Sequence, residues 1–186
     1  LKTHDFAKAE EVINDHKKIF GEDYYLEISH HPEIPGHEEL QKEIKPTDEE
    51  IAIIGLGEPL IYFHKILELI RAIKERYNLK VRIDTNGLVE CLYPNQNVAK
   101  KLKEAGLDEI RISLNALNES EYQELCRSTY PYAFRSLCNF IMSCLKENLL
   151  VKVSFILSFN DYKVKTRKKQ DYLSFASSLG IKKENV

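Results

Sequence analysis

The feature that most constrains this chain is a repeat. Four short apolar runs rich in β-branched residues alternate with stretches of helical spacing: Ile51 to Ile54, Lys80 to Asp84, Glu109 to Ser113 and Val151 to Leu157. They begin at 51, 80, 109 and 151, so the intervals are 29, 29 and 42 residues. A hairpin needs only a few residues between strands. Intervals this long hold a helix that crosses back over the sheet, which makes the strands parallel. The expected fold is α/β, built from parallel (β/α) repeats.

The helical stretches carry boundary signals. Phe63, Ile66, Leu67, Ile70, Ile73 and Tyr77 recur every three or four residues, the inner face of an amphipathic helix that stops near Asn78. A second helix is expected over Val98 to Ala105, with Gly106 suited to the left-handed turn beyond its end. Asn118-Glu119-Ser120-Glu121 resembles a capping box opening a third helix, and Phe134, Leu137, Cys138, Ile141 and Leu145 mark a fourth. Two helices account for the longer third interval. Leu179-Gly180-Ile181 predicts a last helix end followed by a strand.

Residues 1–46 break the repeat. A helix with Phe6, Ala9, Val12, Ile13 and His16 on one face precedes an alternating strand, Tyr24 to Ile28, and a turn-rich loop, His31 to Gly36. Lys45-Pro46-Thr47-Asp48-Glu49-Glu50 has a linker's composition, which sets a boundary near Thr47: an N-terminal segment over 1–46 and the (β/α) core over 47–186. The opening at Leu1 rather than Met, and a stop just after a helix end, are read as a core incomplete at its ends.

Charge and composition narrow the partners. Lys plus Arg number 27 against 29 for Asp plus Glu, so a net charge of -2 provides no field for nucleic acid or an anionic membrane. The basic run Lys163, Lys165, Arg167, Lys168 and Lys169 reads as a solvated face. No apolar run approaches the ~20 residues of a bilayer crossing, and the charged start is unlike a secretory signal, so a cytoplasmic protein with a small-molecule ligand is expected. Cys91, Cys126, Cys138 and Cys144 lack paired metal-ligand spacing and read as reduced thiols.

Parallel sheets place ligands beyond the carboxyl ends of their strands, where loops and helix amino termini converge. Those ends carry Gly55-Leu56-Gly57-Glu58-Pro59, Asp84-Thr85-Asn86-Gly87, Ser113-Leu114-Asn115-Ala116 and Ser158-Phe159-Asn160-Asp161. Glycines admit a ligand close to the backbone, and a carboxylate beside free amides suits a zwitterion with its ammonium on the acid. Each motif also has a bland account: Glu58 favouring a helix dipole, Asn86-Gly87 making a turn, Ser113 and Asn115 capping the next segment. Four successive strand ends of this kind favour a site.

The same residues resemble the radical S-adenosylmethionine (radical SAM) superfamily, in particular its TatD-associated branch, over about residues 48–183. The likeness rests on Gly-Leu-Gly-Glu-Pro-Leu at 55–60, Asp-Thr-Asn-Gly at 84–87 and Glu-Ile-Arg-Ile-Ser-Leu-Asn-Ala at 109–116, extended by Tyr122-Gln123-Glu124-Leu125-Cys126-Arg127 and Ala133-Phe134. It implies a partial, TIM-like parallel (β/α) barrel that binds S-adenosylmethionine and abstracts hydrogen from a substrate through a 5′-deoxyadenosyl radical. Gly55, Gly57 and Glu58 match the motif that receives the methionine amino group. Ser113 and Asn115 match contacts to the ribose or carboxylate, Asn86 lies between them, and Arg127 matches a basic residue near the cofactor.

The resemblance also implies a [4Fe–4S] cluster on three cysteines, yet no residue upstream of Cys91 is cysteine. Thiolates are the usual ligands of such clusters, so this chain is not expected to assemble one. A shorter stretch, residues 6–44, is similar to part of the PHP metal-dependent phosphoesterase domain of bacterial replicative polymerases, in which Glu27 and His31 match metal ligands. Three functions follow as alternatives: a radical SAM enzyme core, a cluster-less module binding a nucleoside or amino-acid-like ligand, and a PHP-type phosphoesterase or polymerase-associated fragment.

Overall fold

A computed structural model describes residues 44–157 and 167–186, apart from Pro46, Leu56 and Asn78. The N-terminal helix and strand, Glu27, His31 and the Ser158 to Asp161 strand end lie outside the described residues. Within them the elements alternate as the repeat demands: β1 (Glu50–Ile53), α1 (Phe63–Arg76), β2 (Lys80–Thr85), α2 (Val89–Leu92), α3 (Val98–Ala105), β3 (Glu109–Asn115), α4 (Glu119–Cys126), α5 (Ala133–Lys146), β4 (Leu150–Phe155) and α6 (Lys169–Ser178). The four strands form one sheet in the order β1-β2-β3-β4, and every pairing is parallel. An α/β sheet wound in sequence order is the arrangement of a partial TIM-like barrel.

Alternation along the strands separates two faces. Val81, Ile83, Ile110, Ile112, Leu114, Val151 and Val153 are buried against the helices. They meet Phe63, Ile66, Leu67, Ile70 and Ile73 of α1, Leu102 of α3, and Leu137, Phe140, Ile141 and Cys144 of α5, all buried. Full burial of each large side chain contributes about 2 kcal/mol, so this layer drives the fold. The opposite face is charged.

Several boundaries follow the local signals. α3 ends at Gly106 with φ of 103°, and Asn118 caps α4 by accepting from Glu121 N–H at 2.9 Å. Other features differ from expectation. α5 turns Phe140 and Cys144 fully inward while Cys138 and Leu145 are half-buried, because the helix is wedged between β3, β4 and its neighbours rather than lying on one side. After Ile181 the chain forms a 3-10 turn, Lys183–Asn185, in place of the expected strand. The polar run Lys182-Lys183-Glu184-Asn185 has no β-branched residue to favour extension.

Candidate functional site

From Ile53 the chain runs through Gly55 and Gly57 to Glu58, which caps a 3-10 turn over Pro59–Tyr62. Glu58 Oε1 accepts the Leu60 N–H at 3.0 Å, satisfying a donor at the start of the turn. The same oxygen accepts the Thr85 hydroxyl at 2.7 Å, and Oε2 accepts the Asn86 N–H at 2.7 Å. One carboxylate thus ties the loop after β1 to the end of β2. A carboxylate offers about four lone-pair positions, so one remains for a further donor, and an ammonium is such a donor.

Thr85 was not singled out by sequence, although it is buried and central. Its hydroxyl donates to Glu58 while accepting the Gly87 N–H at 3.0 Å. Asn86 is exposed; its Oδ1 accepts the Leu88 N–H at 2.9 Å, so its side chain shapes the turn it was also expected to make. Gly87 has φ of 75°, and a Cβ there would lie 2.3 Å from Leu137 Cδ1 and 2.9 Å from Ile112 Cγ2. Only glycine fits. Gly57 is the opposite case, exposed and with nothing within 4 Å of where a Cβ would stand. Gly55 is tighter, its Cβ position lying 3.1 Å from the Gly57 carbonyl oxygen.

On β3, Ser113 pairs in register with Ser154 of β4, and a bulge follows so that Asn115 pairs with Phe155. Asn115 takes a left-handed conformation with φ of 62°, tolerated by asparagine, and its Nδ2 donates to Cys126 Sγ at 3.4 Å. Arg127 follows directly as the left-handed cap of α4, its N–H bonded to Gln123 O at 3.0 Å. The structure therefore joins Glu58 to Asn86 by a hydrogen bond, and brings Asn115 to the α4 end that Arg127 closes. Of the basic run, Arg167 is paired with Glu121, and Lys168 and Lys169 are exposed.

Behind the strand ends lies a feature sequence reading missed. Glu109 is wholly buried and meets three cations, Lys80 of β2, Arg111 of β3 through Nε at 2.6 Å, and Lys152 of β4 at 3.1 Å. Burial pushes its carboxyl up, but the three ion pairs outweigh that and hold it down at about 2. Glu50 bonds Lys80 at 3.0 Å and lies 3.1 Å from Arg82 Nε, while Arg82 Nη1 is 3.6 Å from Asp84 Oδ1. The signal was present: charges recur at alternate positions, 80, 82 and 84 on β2 and 109 and 111 on β3. A cavity of about 320 Å³ opens on this face, lined by Asp84, Arg111, Ser113, Lys152, Ser154 and Glu184 among others.

The cysteines do not fit an iron–sulfur cluster. Cys144 is buried in α5, Cys138 and Cys91 are half-buried on α5 and α2, and Cys126 contacts Asn115. Among the described residues no three His, Cys, Asp or Glu side chains are placed to hold a metal ion. Burial raises the Cys138 thiol to about 11 and the Cys144 thiol further, the reverse of what a thiolate ligand needs. No helix of the described residues is long and apolar enough to cross a membrane.

An uncharacterized protein of Methanocaldococcus jannaschii is 32% identical over 114 residues, which are 61% of this chain and 37% of that protein. A probable GTP 3′,8-cyclase of Methanococcus maripaludis is 33% identical over 99 residues, 51% of this chain and 31% of the relative. A GTP 3′,8-cyclase of Alkaliphilus oremlandii is 38% identical over 80 residues, 42% and 23% respectively. The chain thus spans about a third or less of the length of these relatives. Residues 27–157 match the Radical SAM superfamily, a stretch that includes Glu27 and His31 as well as all four strands. With that match over most of its length, and a parallel sheet whose strand ends carry the Gly-Leu-Gly-Glu motif, the chain belongs to the Radical SAM superfamily.

Proposed function

We propose that this chain is the S-adenosylmethionine-binding core of a radical SAM-type enzyme, with the methionine ammonium on Glu58. The observation that carries the reading is the Glu58 carboxylate, fixed by Leu60 N–H, Thr85 Oγ1 and Asn86 N–H with one acceptor position left. Its neighbour Gly57 leaves the space beside the backbone open for the methionine chain. In this reading Ser113 and Asn115 meet the ribose or carboxylate, with Asn86 and Arg127 near the cofactor. The run Tyr122 to Arg127, with Ala133-Phe134, supports assignment to the TatD-associated branch.

The cyclases act on GTP by name, but the chain covers under a third of each. A second reading is favoured by one observation, the dispersal of the four cysteines: a module that binds S-adenosylmethionine, or its nucleoside or amino acid half, without a cluster.

Calorimetric titration with S-adenosylmethionine tests the site. We expect saturable binding to the wild-type chain and at least tenfold weaker binding to Glu58→Gln. Equal affinity in the two proteins would sink the assignment of Glu58. Iron and acid-labile sulfide, counted after anaerobic reconstitution, separate the readings: near-stoichiometric cluster supports the radical enzyme, and saturable ligand binding without iron supports the module.

A further inference from the structure

The charged face of the sheet opens on a cavity apart from the strand-end carboxylate. Arg111 and Lys152 are direct register partners on β3 and β4. Like charges side by side on neighbouring strands cost stability. Here Glu109 offsets much of that cost by taking Arg111 through Nε and Lys152 through Nζ. The Arg111 bond uses the inner edge of the guanidinium, and its two Nη groups have no hydrogen-bond partner among the described residues. A fork held at its base with its tips unpaired is preorganised for a planar or tetrahedral oxyanion.

The surroundings extend the match. One step along the same strand faces, Ser113 and Ser154 form the next register pair, placing two hydroxyls beside the two cations at the cavity wall. The sheet face carries four cations, Lys80, Arg82, Arg111 and Lys152, against three anions, Glu50, Asp84 and Glu109. Asp84 Oδ1 is buried without a hydrogen-bond partner among the described residues, and Glu184 adds an exposed carboxylate at the cavity rim. These two acids disfavour a polyanion and favour a ligand that carries a donor next to its negative group.

We propose that the cavity binds the oxyanion of the substrate, a carboxylate or a phosphate monoester, between Arg111, Lys152 and Ser154, leaving Ser113 to the cofactor, with Asp84 accepting a donor from the same molecule. The inference rests on the reading that S-adenosylmethionine occupies the strand ends. Arg111 lies two residues below Ser113, about 7 Å along the strand, so a substrate anchored there reaches toward the cofactor without displacing it.

The test is a nuclear magnetic resonance titration of the ¹⁵N-labelled 186-residue chain with inorganic phosphate, acetate and glycine at constant ionic strength. Saturable shifts are expected at Arg111 Nε and the Ser154 amide, with whichever probe binds tightest naming the source of the oxyanion. Arg111→Lys, which keeps the charge beside Glu109 but loses the fork, is expected to weaken binding at least fivefold. Lys152→Met serves as the second variant, and Lys100→Gln on the far side of α3 as a control that changes nothing. No saturable shift with any probe, or undiminished binding in folded Arg111→Lys and Lys152→Met, overturns the proposal. S-adenosylmethionine titrated into the same samples keeps the two readings apart: shifts at Gly57 and Asn86 report the cofactor, and their loss in the wild-type chain removes the cofactor reading while leaving the anion result standing.

Discussion

Arg111 reaches back along its own strand to Glu109, Nε to Oε1 at 2.6 Å, so the residue that faces the cavity is held by a carboxylate that faces nothing but cations. Glu109 is wholly buried, and Lys80 and Lys152 complete its surroundings from the strands on either side. The arrangement makes Glu109 the electrostatic centre of the sheet.

Glu109→Gln is expected to destabilise the chain by about 3 kcal/mol at neutral pH, since its folded carboxyl is held at about 2 against an ordinary 4.5. Side-chain exposures of 38%, 42% and 35% at Lys80, Arg111 and Lys152 screen part of that, so the figure is an upper value. The sign is fixed by the direction of the shift. A carboxyl lowered in the folded state stabilises above its unfolded value, and that contribution is lost as pH falls from about 4.5 through about 2. Urea unfolding of both proteins at pH 7, 4.5 and 3 checks it: the gap between them should be full at pH 7 and shrink at pH 3. A constant gap would mean that Glu109 is not what titrates.

The two glycines flanking the Glu58 bridge separate folding from binding. Gly87→Ala should cost about 2 kcal/mol or more, because the residue is left-handed and its methyl would overlap Leu137 and Ile112. Gly57→Ala meets no atom and should leave the urea midpoint within about 0.5 kcal/mol of wild type. Its S-adenosylmethionine affinity should nevertheless fall severalfold if the methionine lies against that backbone. Unchanged affinity in Gly57→Ala would place the ligand elsewhere.

Thiol chemistry follows burial. Cys144 is wholly buried and its thiol is pushed well above the ordinary range, and Cys138 is raised to about 11. Alkylation of the native chain by iodoacetamide at pH 8, read by peptide mass spectrometry, should modify Cys91 and Cys126 before Cys138 and leave Cys144 untouched until urea is added. Rapid native labelling of Cys144 would contradict the packing of α5.

Much of the scaffold was legible because it rests on local chemistry. The strands show as apolar runs, and Gly106 marks the end of α3 because only a residue at ease with φ of 103° closes it there. Glu58 and Asn86 were legible as strand-end residues, but their bond was not, since it joins a side chain to a backbone N–H 28 positions away, and nothing in the sequence marks Thr85 as a second partner of the same carboxylate. The short helix α2 is four residues long and too brief to show a period. The ion network escaped for another reason. Charges alternating with apolar residues normally mean a solvated strand face, and only the pairing of β2, β3 and β4 turns Lys80, Glu109, Arg111 and Lys152 inward upon one another.

Glu109 also bears on how the sheet finds its alignment. Parallel strands separated by whole helices must pair across long stretches of chain, and a slip of one residue would send every side chain to the wrong face. A slip of two would preserve the alternation and so escape correction by the apolar core. It would not escape Glu109, which takes Lys80, Arg111 and Lys152 from three adjacent strands at once. A slip that sets Asp84 in place of Arg82 opposite Glu109, or that draws Lys152 away from it, leaves this buried charge short of cations, so one carboxylate helps proofread the register of three quarters of the sheet.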